Sequence, residues 1–298
     1  MLMFLPAPLT GAFMFLFFGL NLVAWAVPVY ALILIKLFTW GNGRVLLSRW
    51  TARTAQQWAA CNVWLLDTML DIHWDMRGIE ELSLDGKYLA VSNHQSWNDI
   101  PVLMKAFDRR APFFKFFLKQ QLVWVPILGL AWWGLDFPFM RRYTREQVEK
   151  NPALKGKDLE TTRAACAKFR QQPVLVINYL EGTRFTPAKH ERQQSPFKHL
   201  LRPKSGGIAF ALASLGDVLD CVLDITVAYP DGAVGFWDML CGRMHRVVVD
   251  IRQIQVPDEF FTGDYTNDPE FRERFQAWVT ALWERKDRRV AELLAAAG

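Results

Sequence analysis

The chain has 298 residues, of which 51% are hydrophobic and 22% are charged, and its formal net charge is +5. This composition excludes a disordered, collagen-like or purely coiled-coil chain, and its 13 Trp and 22 Phe favour contact with lipid. The four cysteines are far apart and form no C-x-x-C pair, which indicates a reducing compartment and no cysteine-built metal site.

The N-terminal segment is uncharged up to Lys36, the first Asp, Glu, Lys or Arg of the chain. Residues 11–34 form an apolar run of the length that a helix needs to cross about 30 Å of hydrocarbon. Because the run is long and no basic residue precedes it, we expect a retained anchor rather than a cleaved signal peptide. Pro28 would kink or break a continuous helix, which leaves two alternatives open, a single span and a helical hairpin that dips into one leaflet.

Basic residues on the C-terminal flank set the expected orientation of this anchor. Lys36 is followed by Arg44, Arg49 and Arg53. Since Lys and Arg concentrate on cytoplasmic flanks, we expect the rest of the chain on the cytoplasmic face of a bacterial-type inner membrane.

Apolar residues then recur at helical spacing over residues 44–70, which predicts a helix near the membrane surface. Its apolar face comprises Leu47, Trp50, Trp58, Cys61 and Leu65. We therefore divide the chain into a membrane anchor with an interfacial helix (residues 1–70) and a cytoplasmic α/β domain (residues 71–298).

Short apolar or alternating segments in the second part are typical of strands. They are residues 72–76, 88–92, 174–180, 222–228 and 247–251. The pattern of residues 159–170 predicts a helix between two of them, and residues 268–297 carry an apolar stripe that favours a core-packed helix. The expected fold is α/β, with a mixed, mostly parallel sheet flanked by helices and preceded by the anchor helix or hairpin.

Residues 92–100, SNHQSWNDI, follow a predicted strand and precede a predicted helix. A tight turn there can bring the carboxylate of Asp99 back to the imidazole of His94, which would fix the tautomer and leave one ring nitrogen free as a general base. The same pair would also suit a helix cap. A metal site with Glu181 is a weaker alternative, because none of the five His shows ligand spacing to another.

Glu181, Gly182, Thr183 and Arg184 directly follow another predicted strand. Gly allows close backbone approach, Thr offers a hydroxyl, and Arg can bind a phosphate through two donors. Between this segment and His94, residues 113–145 interleave nine Phe and Trp side chains with Lys and Arg. That pattern predicts contact with a membrane interface and an anionic headgroup, and it is too apolar for a nucleic-acid surface.

Four blocks in this order and spacing resemble the membrane glycerolipid acyltransferases, and the similarity is greatest to the branch with lysophosphatidic and lysocardiolipin acyltransferases. The blocks are residues 93–99 (NHQSWND), 137–141 (FPFMR), 181–184 (EGTR) and 225–230 (ITVAYP). Pro138 stands where the second block usually has an apolar β-former, so Arg142 is an alternative to Arg141 as its cation.

The resemblance implies that His94 deprotonates the hydroxyl of the acceptor and that Asp99 orients His94. It also implies that Arg141, Glu181, Gly182 and Arg184 bind the phosphate-bearing acceptor, with the hydroxyl of Thr183 beside them.

The expected reaction is transfer of a fatty acyl group from acyl-CoA or acyl-carrier protein to a lysophospholipid, with 1-acyl-glycerol-3-phosphate as the favoured acceptor and phosphatidic acid as its product. We expect membrane lipids and the thioester donor as partners, with no metal, no other cofactor and no nucleic acid. Two alternatives stay open: a membrane-tethered protein that binds anionic lipid or nucleic acid without catalysis, and a lipid thioesterase or hydrolase in which His94 activates water.

Overall fold

The computed structural model describes residues 5–140, 166 and 168–296. In these ranges the helices, α1 to α9, are Ala7–Leu37, Gly41–Met69, Asp99–Phe107, Leu128–Gly134, Pro187–Gln193, Ser205–Leu215, Phe236–Leu240, Glu259–Thr262 and Pro269–Ala296. The strands, β1 to β8, are His73–Arg77, Lys87–Ser92, Phe114–Phe116, Leu118–Lys119, Phe139–Met140, Val174–Tyr179, Cys221–Ala228 and Arg246–Ile254.

The strands of the described residues form a six-stranded sheet in the order β1-β8-β7-β2-β6-β3, and a second, two-stranded sheet of β4 and β5. In the large sheet β7 and β8 are antiparallel and every other neighbouring pair is parallel. The predicted α/β fold with a mixed, mostly parallel sheet is therefore confirmed.

Helices cover both faces of the large sheet, and the alternation of side chains along each strand supplies both cores. Tyr88 and Ala90 of β2 pack with α1 to α4 and α7, whereas Leu89 and Val91 of the same strand pack with α6, α8 and α9. Because the central strands are buried on both sides, they are nearly continuous apolar runs, which is why the sequence marks them clearly.

Helix α1 is continuous through Pro28, so of the two alternatives the helical hairpin that breaks at this proline is not observed. Instead α1 pairs along its length with α2, where the side-chain amide of Asn21 donates to the backbone oxygen of Trp58 at 3.1 Å and to Oδ1 of Asn62 at 2.8 Å. By length and composition α1 can cross a membrane, and only 11% of its most apolar window is buried.

Both ends of α1 are held against the α/β part of the chain. Near the N-terminal end, a Cβ at Gly11 would lie 2.6 Å from Sγ of Cys241, so a glycine is required for this close approach. At the C-terminal end Lys36 is buried, and its Nζ donates to Gly134 O at 2.9 Å and to Oδ2 of Asp136 at 2.5 Å. Met14 of α1 and Leu66 of α2 are fully buried in the same core as the sheet.

The aromatic segment that follows α3 differs from its expectation as a membrane interface. Phe113, Phe114 and Phe137 are buried in the core, whereas Trp124 is 85% exposed. Lys115 is also buried, 4.8 Å from the centre of the Phe169 ring, and burial lowers its pKa to about 8. Most of these side chains therefore build the core, and a minority remain for a lipid surface.

Two further helix predictions have mixed outcomes. Within α2, Leu47 and Leu65 are buried as expected but Trp50 is 47% exposed. The helix predicted over residues 159–170 falls mostly outside the described residues. In contrast, the C-terminal helix α9 buries Phe275 and Trp283 completely, which confirms its predicted use in the core.

Candidate active site

The candidate site lies where the carboxyl ends of β2, β6 and β7 meet. Ser92, the last residue of β2, is in register with Tyr179 at the end of β6 and with Ile225 of β7. Because neighbouring parallel strands end on the same edge of a sheet, the segments that follow them converge there. These segments are the ones that the sequence marked as candidate sites.

His94 and Asp99 are in contact in the turn between β2 and α3. Nδ1 of His94 donates to Oδ2 of Asp99 at 2.6 Å. The carboxylate is fully buried at the start of α3, and the same oxygen accepts the backbone N–H groups of Gln95 at 2.8 Å and Ser96 at 3.1 Å. These three donors fix the carboxylate and, through it, the imidazole.

The second oxygen of Asp99 accepts a hydrogen bond from a residue that follows β7. The hydroxyl of Tyr229, just after β7, donates to Oδ1 at 2.6 Å. Burial, with the nearby Asp99 charge, raises the pKa of Tyr229 well above its ordinary value, so this hydroxyl stays a donor. The carboxylate of Asp99 therefore accepts hydrogen bonds from four donors.

The imidazole of His94 lies on an aromatic ring and keeps one nitrogen available. It stacks on Tyr179 with ring centres 4.1 Å apart and 20° between the planes. The side chain is 16% exposed, and no residue of the described ranges bonds Nε2. With Nδ1 protonated and held by Asp99, Nε2 can accept a proton from a substrate.

Glu181 is placed differently from the expectation that it binds an acceptor. It is fully buried, with Oε1 accepting the backbone N–H of His94 at 3.0 Å and Oε2 accepting that of Leu201 at 3.3 Å. Burial raises its pKa to about 8, partly offset by these two hydrogen bonds. Glu181 therefore holds the backbone of His94 in place, and its buried carboxyl is not accessible to a ligand in the site.

The remaining residues of that block form the rim of the site. Gly182 has φ of +65°, a conformation that favours glycine, and turns the chain after β6. The Thr183 hydroxyl accepts a hydrogen bond from Nζ of Lys189 at 2.7 Å, and Lys189 also donates to the backbone oxygen of Arg184 at 2.9 Å. The backbone N–H of Phe185 donates to the backbone oxygen of His94 at 2.7 Å. These bonds hold the rim against the His94 turn.

Arg184 is the cation of this rim. Its guanidinium carbon lies 3.9 Å from the centre of the Trp97 ring. No residue of the described part of the chain accepts a hydrogen bond from its side chain. Arg141 and Arg142, the other predicted phosphate contacts, lie outside the described residues.

An apolar cavity of about 430 Å³ begins beside this site. Ile100, next to Asp99, lines it, as does Phe116, whose ring centre is 6.3 Å from that of Tyr179. Its other walls come from α1, α2, α4 and α7, including Gly19 and Trp132. A smaller apolar chamber of about 50 Å³ shares Trp132 and several other lining residues with it. Such a space suits a hydrocarbon chain.

Sequence reasoning assigned no role to Tyr179 and Tyr229, although both lie at strand ends on the edge of the sheet that carries His94. Their position directly after or at the end of apolar runs was the available signal. Asn93 was quoted only as part of its block, yet its buried side-chain amide exchanges two hydrogen bonds with the backbone of Val227, at 2.8 and 2.9 Å. This exchange fixes the β2 end against β7.

Comparison with known proteins gives the relatives of this chain. The family model described as Acyltransferase matches residues 73–229. The 1-acyl-sn-glycerol-3-phosphate acyltransferase delta proteins of Mus musculus and Homo sapiens are each 26% identical to it over 184 residues, which are 58% of this chain and 43% of the relative. The 2-acyl-1-lysophosphatidylinositol acyltransferase of Saccharomyces cerevisiae is 22% identical over 240 residues, 68% of this chain and 60% of that protein. The alignment thus spans less than half of the mammalian relatives.

A solved structure shares the fold. The crystal structure of the 1-acyl-sn-glycerophosphate (LPA) acyltransferase PlsC from Thermotoga maritima aligns with a TM-score of 0.55, covering 96% of this chain and 97% of that one. The sequence identity is 17%, so this likeness concerns the architecture.

Proposed function

Since the chain belongs to the acyltransferase family, whose model covers His94, Glu181 and Arg184, we propose that it transfers a fatty acyl group from a thioester donor to the free hydroxyl of a lysophospholipid. The observation that carries this proposal is the His94–Asp99 pair, in which Nε2 of His94 has no hydrogen-bond partner among the described residues. An apolar cavity lies on one side of the turn that carries the pair, lined by Ile100, and the guanidinium of Arg184 lies over the Trp97 ring of the same turn. The favoured acceptor is 1-acyl-glycerol-3-phosphate, which gives phosphatidic acid.

In the proposed reaction, Nε2 of His94 takes the proton of the acceptor hydroxyl as its oxygen attacks the thioester carbonyl carbon. Asp99 stabilises the imidazolium that forms, because its carboxylate already accepts the hydrogen bond of Nδ1. The carbon–sulfur bond then breaks and the thiolate takes the proton from the imidazolium. The ester product and the free thiol leave, and His94 returns to its neutral state.

Each substrate has a matching surface. The acyl chain of the donor fits the apolar cavity of about 430 Å³, and acyl-CoA and acyl-carrier protein both present such a chain as a thioester. The acceptor phosphate fits Arg184, whose N–H groups donate to no residue in the described part of the chain and can bind two oxygens at once. The chemistry needs no metal or other cofactor.

The membrane supplies the acceptor, and α1 supplies a surface to meet it. Exposed apolar residues follow one another at spacings of three and four along α1, and they are Leu9, Phe13, Leu16, Leu20, Val23, Val27, Ala31 and Leu34. From Gly11 to Lys36 the helix contacts the rest of the chain over about 38 Å at 1.5 Å per residue. We therefore place α1 flat in one leaflet, with the α/β domain on the cytoplasmic face.

This placement predicts that both chain ends lie on one side of the membrane. After the native cysteines are replaced, an impermeant thiol reagent should label Leu5→Cys and Ala295→Cys in inside-out vesicles only. Labelling of Leu5→Cys from the opposite side would show that α1 crosses the membrane.

The activity is tested with His94→Ala. Purified protein in mixed micelles is given a labelled acyl thioester and 1-acyl-glycerol-3-phosphate, and loss of the general base should lower turnover by about 10²- to 10⁴-fold. His245→Ala, at an exposed histidine, is the matched control. Unchanged transfer by the His94 variant would refute the proposal. Release of free fatty acid by the unmodified protein, without ester formation, would show that it is a hydrolase.

A further inference from the structure

Trp97 is exposed although it is a large aromatic side chain beside the candidate site. It lies between His94 and Asp99 in the turn before α3, and 59% of its surface is accessible. Its only ring contact with a cation is the one with Arg184, at 3.9 Å, among the residues that the structure describes. The ring therefore serves as a platform for that guanidinium.

The stacking leaves the donors of Arg184 available. A guanidinium that lies over an aromatic ring contacts it with its face, whereas its N–H groups point outward in its own plane. The backbone of the Arg184 rim is tied to the His94 turn by the 2.7 Å bond from Phe185 N–H, so the ring and the backbone together fix the cation relative to His94. A free arginine would otherwise lose much rotamer freedom on binding an anion.

We propose that Trp97 is a positioning residue that holds the Arg184 guanidinium beside His94, with its N–H edge ready for the anionic headgroup of the acceptor. This inference rests on the proposed function. It makes Trp97 a determinant of affinity for acceptors with a phosphate, and it assigns no chemical step to Trp97.

The first test measures binding without turnover. The ligand is 1-acyl-propanediol 3-phosphate, which lacks the reacting hydroxyl, and its Kd for the detergent-solubilised full chain is measured by scintillation proximity. Trp97→Leu should raise this Kd about 3- to 30-fold, the range of a cation–π contact, while Trp97→Phe, which keeps a ring, should change it less than about threefold. Binding of 1-acyl-propanediol, which has no phosphate, should be unaffected.

The matched control is Trp64→Leu, because Trp64 on α2 has the same exposed fraction of 59% and lies outside the site. It should leave the Kd unchanged. If Trp97 only contacts lipid, Trp97→Leu will weaken binding to anionic vesicles and leave the Kd for 1-acyl-propanediol 3-phosphate unchanged. This result would overturn the inference.

A double-mutant cycle tests the dependence on Arg184. In an Arg184→Ala background, Trp97→Leu should cause no further loss of affinity, since the ring has nothing left to hold. The same factor in both backgrounds would overturn the inference. In turnover assays Trp97→Leu should raise the acceptor KM and leave kcat within about twofold.

These outcomes are separable from failure of the proposed function. If His94→Ala still transfers acyl groups, the reaction assignment is wrong while the binding pattern of Trp97 and Arg184 can stand. If His94→Ala is inactive and the Kd is insensitive to Trp97, the reaction stands and the role of Trp97 is wrong.

Discussion

Replacing Asp99 by asparagine removes the negative charge of the His94 pair and keeps its shape. The amide oxygen can take the place of Oδ2 and accept from Nδ1 of His94, Gln95 N–H and Ser96 N–H. The amide nitrogen then faces the Tyr229 hydroxyl, which can turn to accept from it. We therefore expect the folded structure and the tautomer of His94 to be retained.

The loss is confined to the state in which His94 is protonated. A hydrogen bond to a charged group contributes about 1.5–3 kcal/mol against about 1 kcal/mol for a neutral one, and the lost charge attraction across a buried contact of 2.6 Å adds to this difference. A total of about 3–4 kcal/mol corresponds to a 10²- to 10³-fold fall in kcat.

The assay is transfer of labelled acyl groups to 1-acyl-glycerol-3-phosphate, with kcat and acceptor KM measured separately and thermal unfolding recorded in the same detergent. Asp238→Asn, at an exposed carboxylate paired with Arg243, is the control for removing one charge. If kcat of the Asp99 variant falls less than about fivefold while the protein stays folded, the carboxylate does not stabilise an imidazolium and the proposed mechanism fails.

Three further predictions follow from other residues. Tyr229→Phe removes a donor to Asp99 and should lower kcat about tenfold with little change in KM, whereas Tyr88→Phe, at another buried tyrosine, should not; equal kinetics of the two variants would contradict this. Because the pKa of Glu181 is raised from 4.5 to about 8, the folded state holds its proton more tightly, and the free energy of unfolding should fall by a few kcal/mol as pH rises from about 4.5 to about 8. Glu181→Gln should flatten this dependence in unfolding curves, and an unchanged slope would show that the carboxyl is not buried. Gly19→Leu adds a side chain where a Cβ meets no atom within 4 Å, so kcat/KM for long-chain donors should fall about tenfold while short-chain donors are spared; an unchanged chain-length profile would exclude the cavity as the acyl site.

The elements that the sequence predicted well are those with a single strong pattern. The central strands are apolar on both faces, and α9 carries its apolar stripe over 28 residues, so burial alone accounts for both. The His94–Asp99 contact was also predictable, because a turn of fixed length joins the two residues at a strand end. The apolar run before His94 also predicted that this contact lies at the end of a strand in a mostly parallel sheet.

Contacts between residues that are far apart in the sequence could not be predicted from local sequence patterns. The family resemblance implied that Glu181 binds the acceptor together with Gly182 and Arg184, but the fold turns its carboxyl inward to two backbone N–H groups. Tyr229 and Asp99 are 130 positions apart in the sequence, and no local pattern around either residue predicts the hydrogen bond between them. The aromatic segment after α3 was interpreted as a lipid surface because core and membrane select the same side chains.

The position of α1 has a consequence for how this protein can be prepared. Phe15, Phe18, Gly19 and Leu22 of α1 form one wall of the apolar cavity, and Lys36 fastens the same helix to Asp136. Removing residues 1–37 to obtain a water-soluble fragment would thus open the cavity to solvent. It would also remove the buried Lys36 partner of Asp136 and leave Lys168, which is more exposed, as its remaining ion-pair partner among the described residues. Purification in detergent or nanodiscs with α1 retained keeps this wall of the cavity in place.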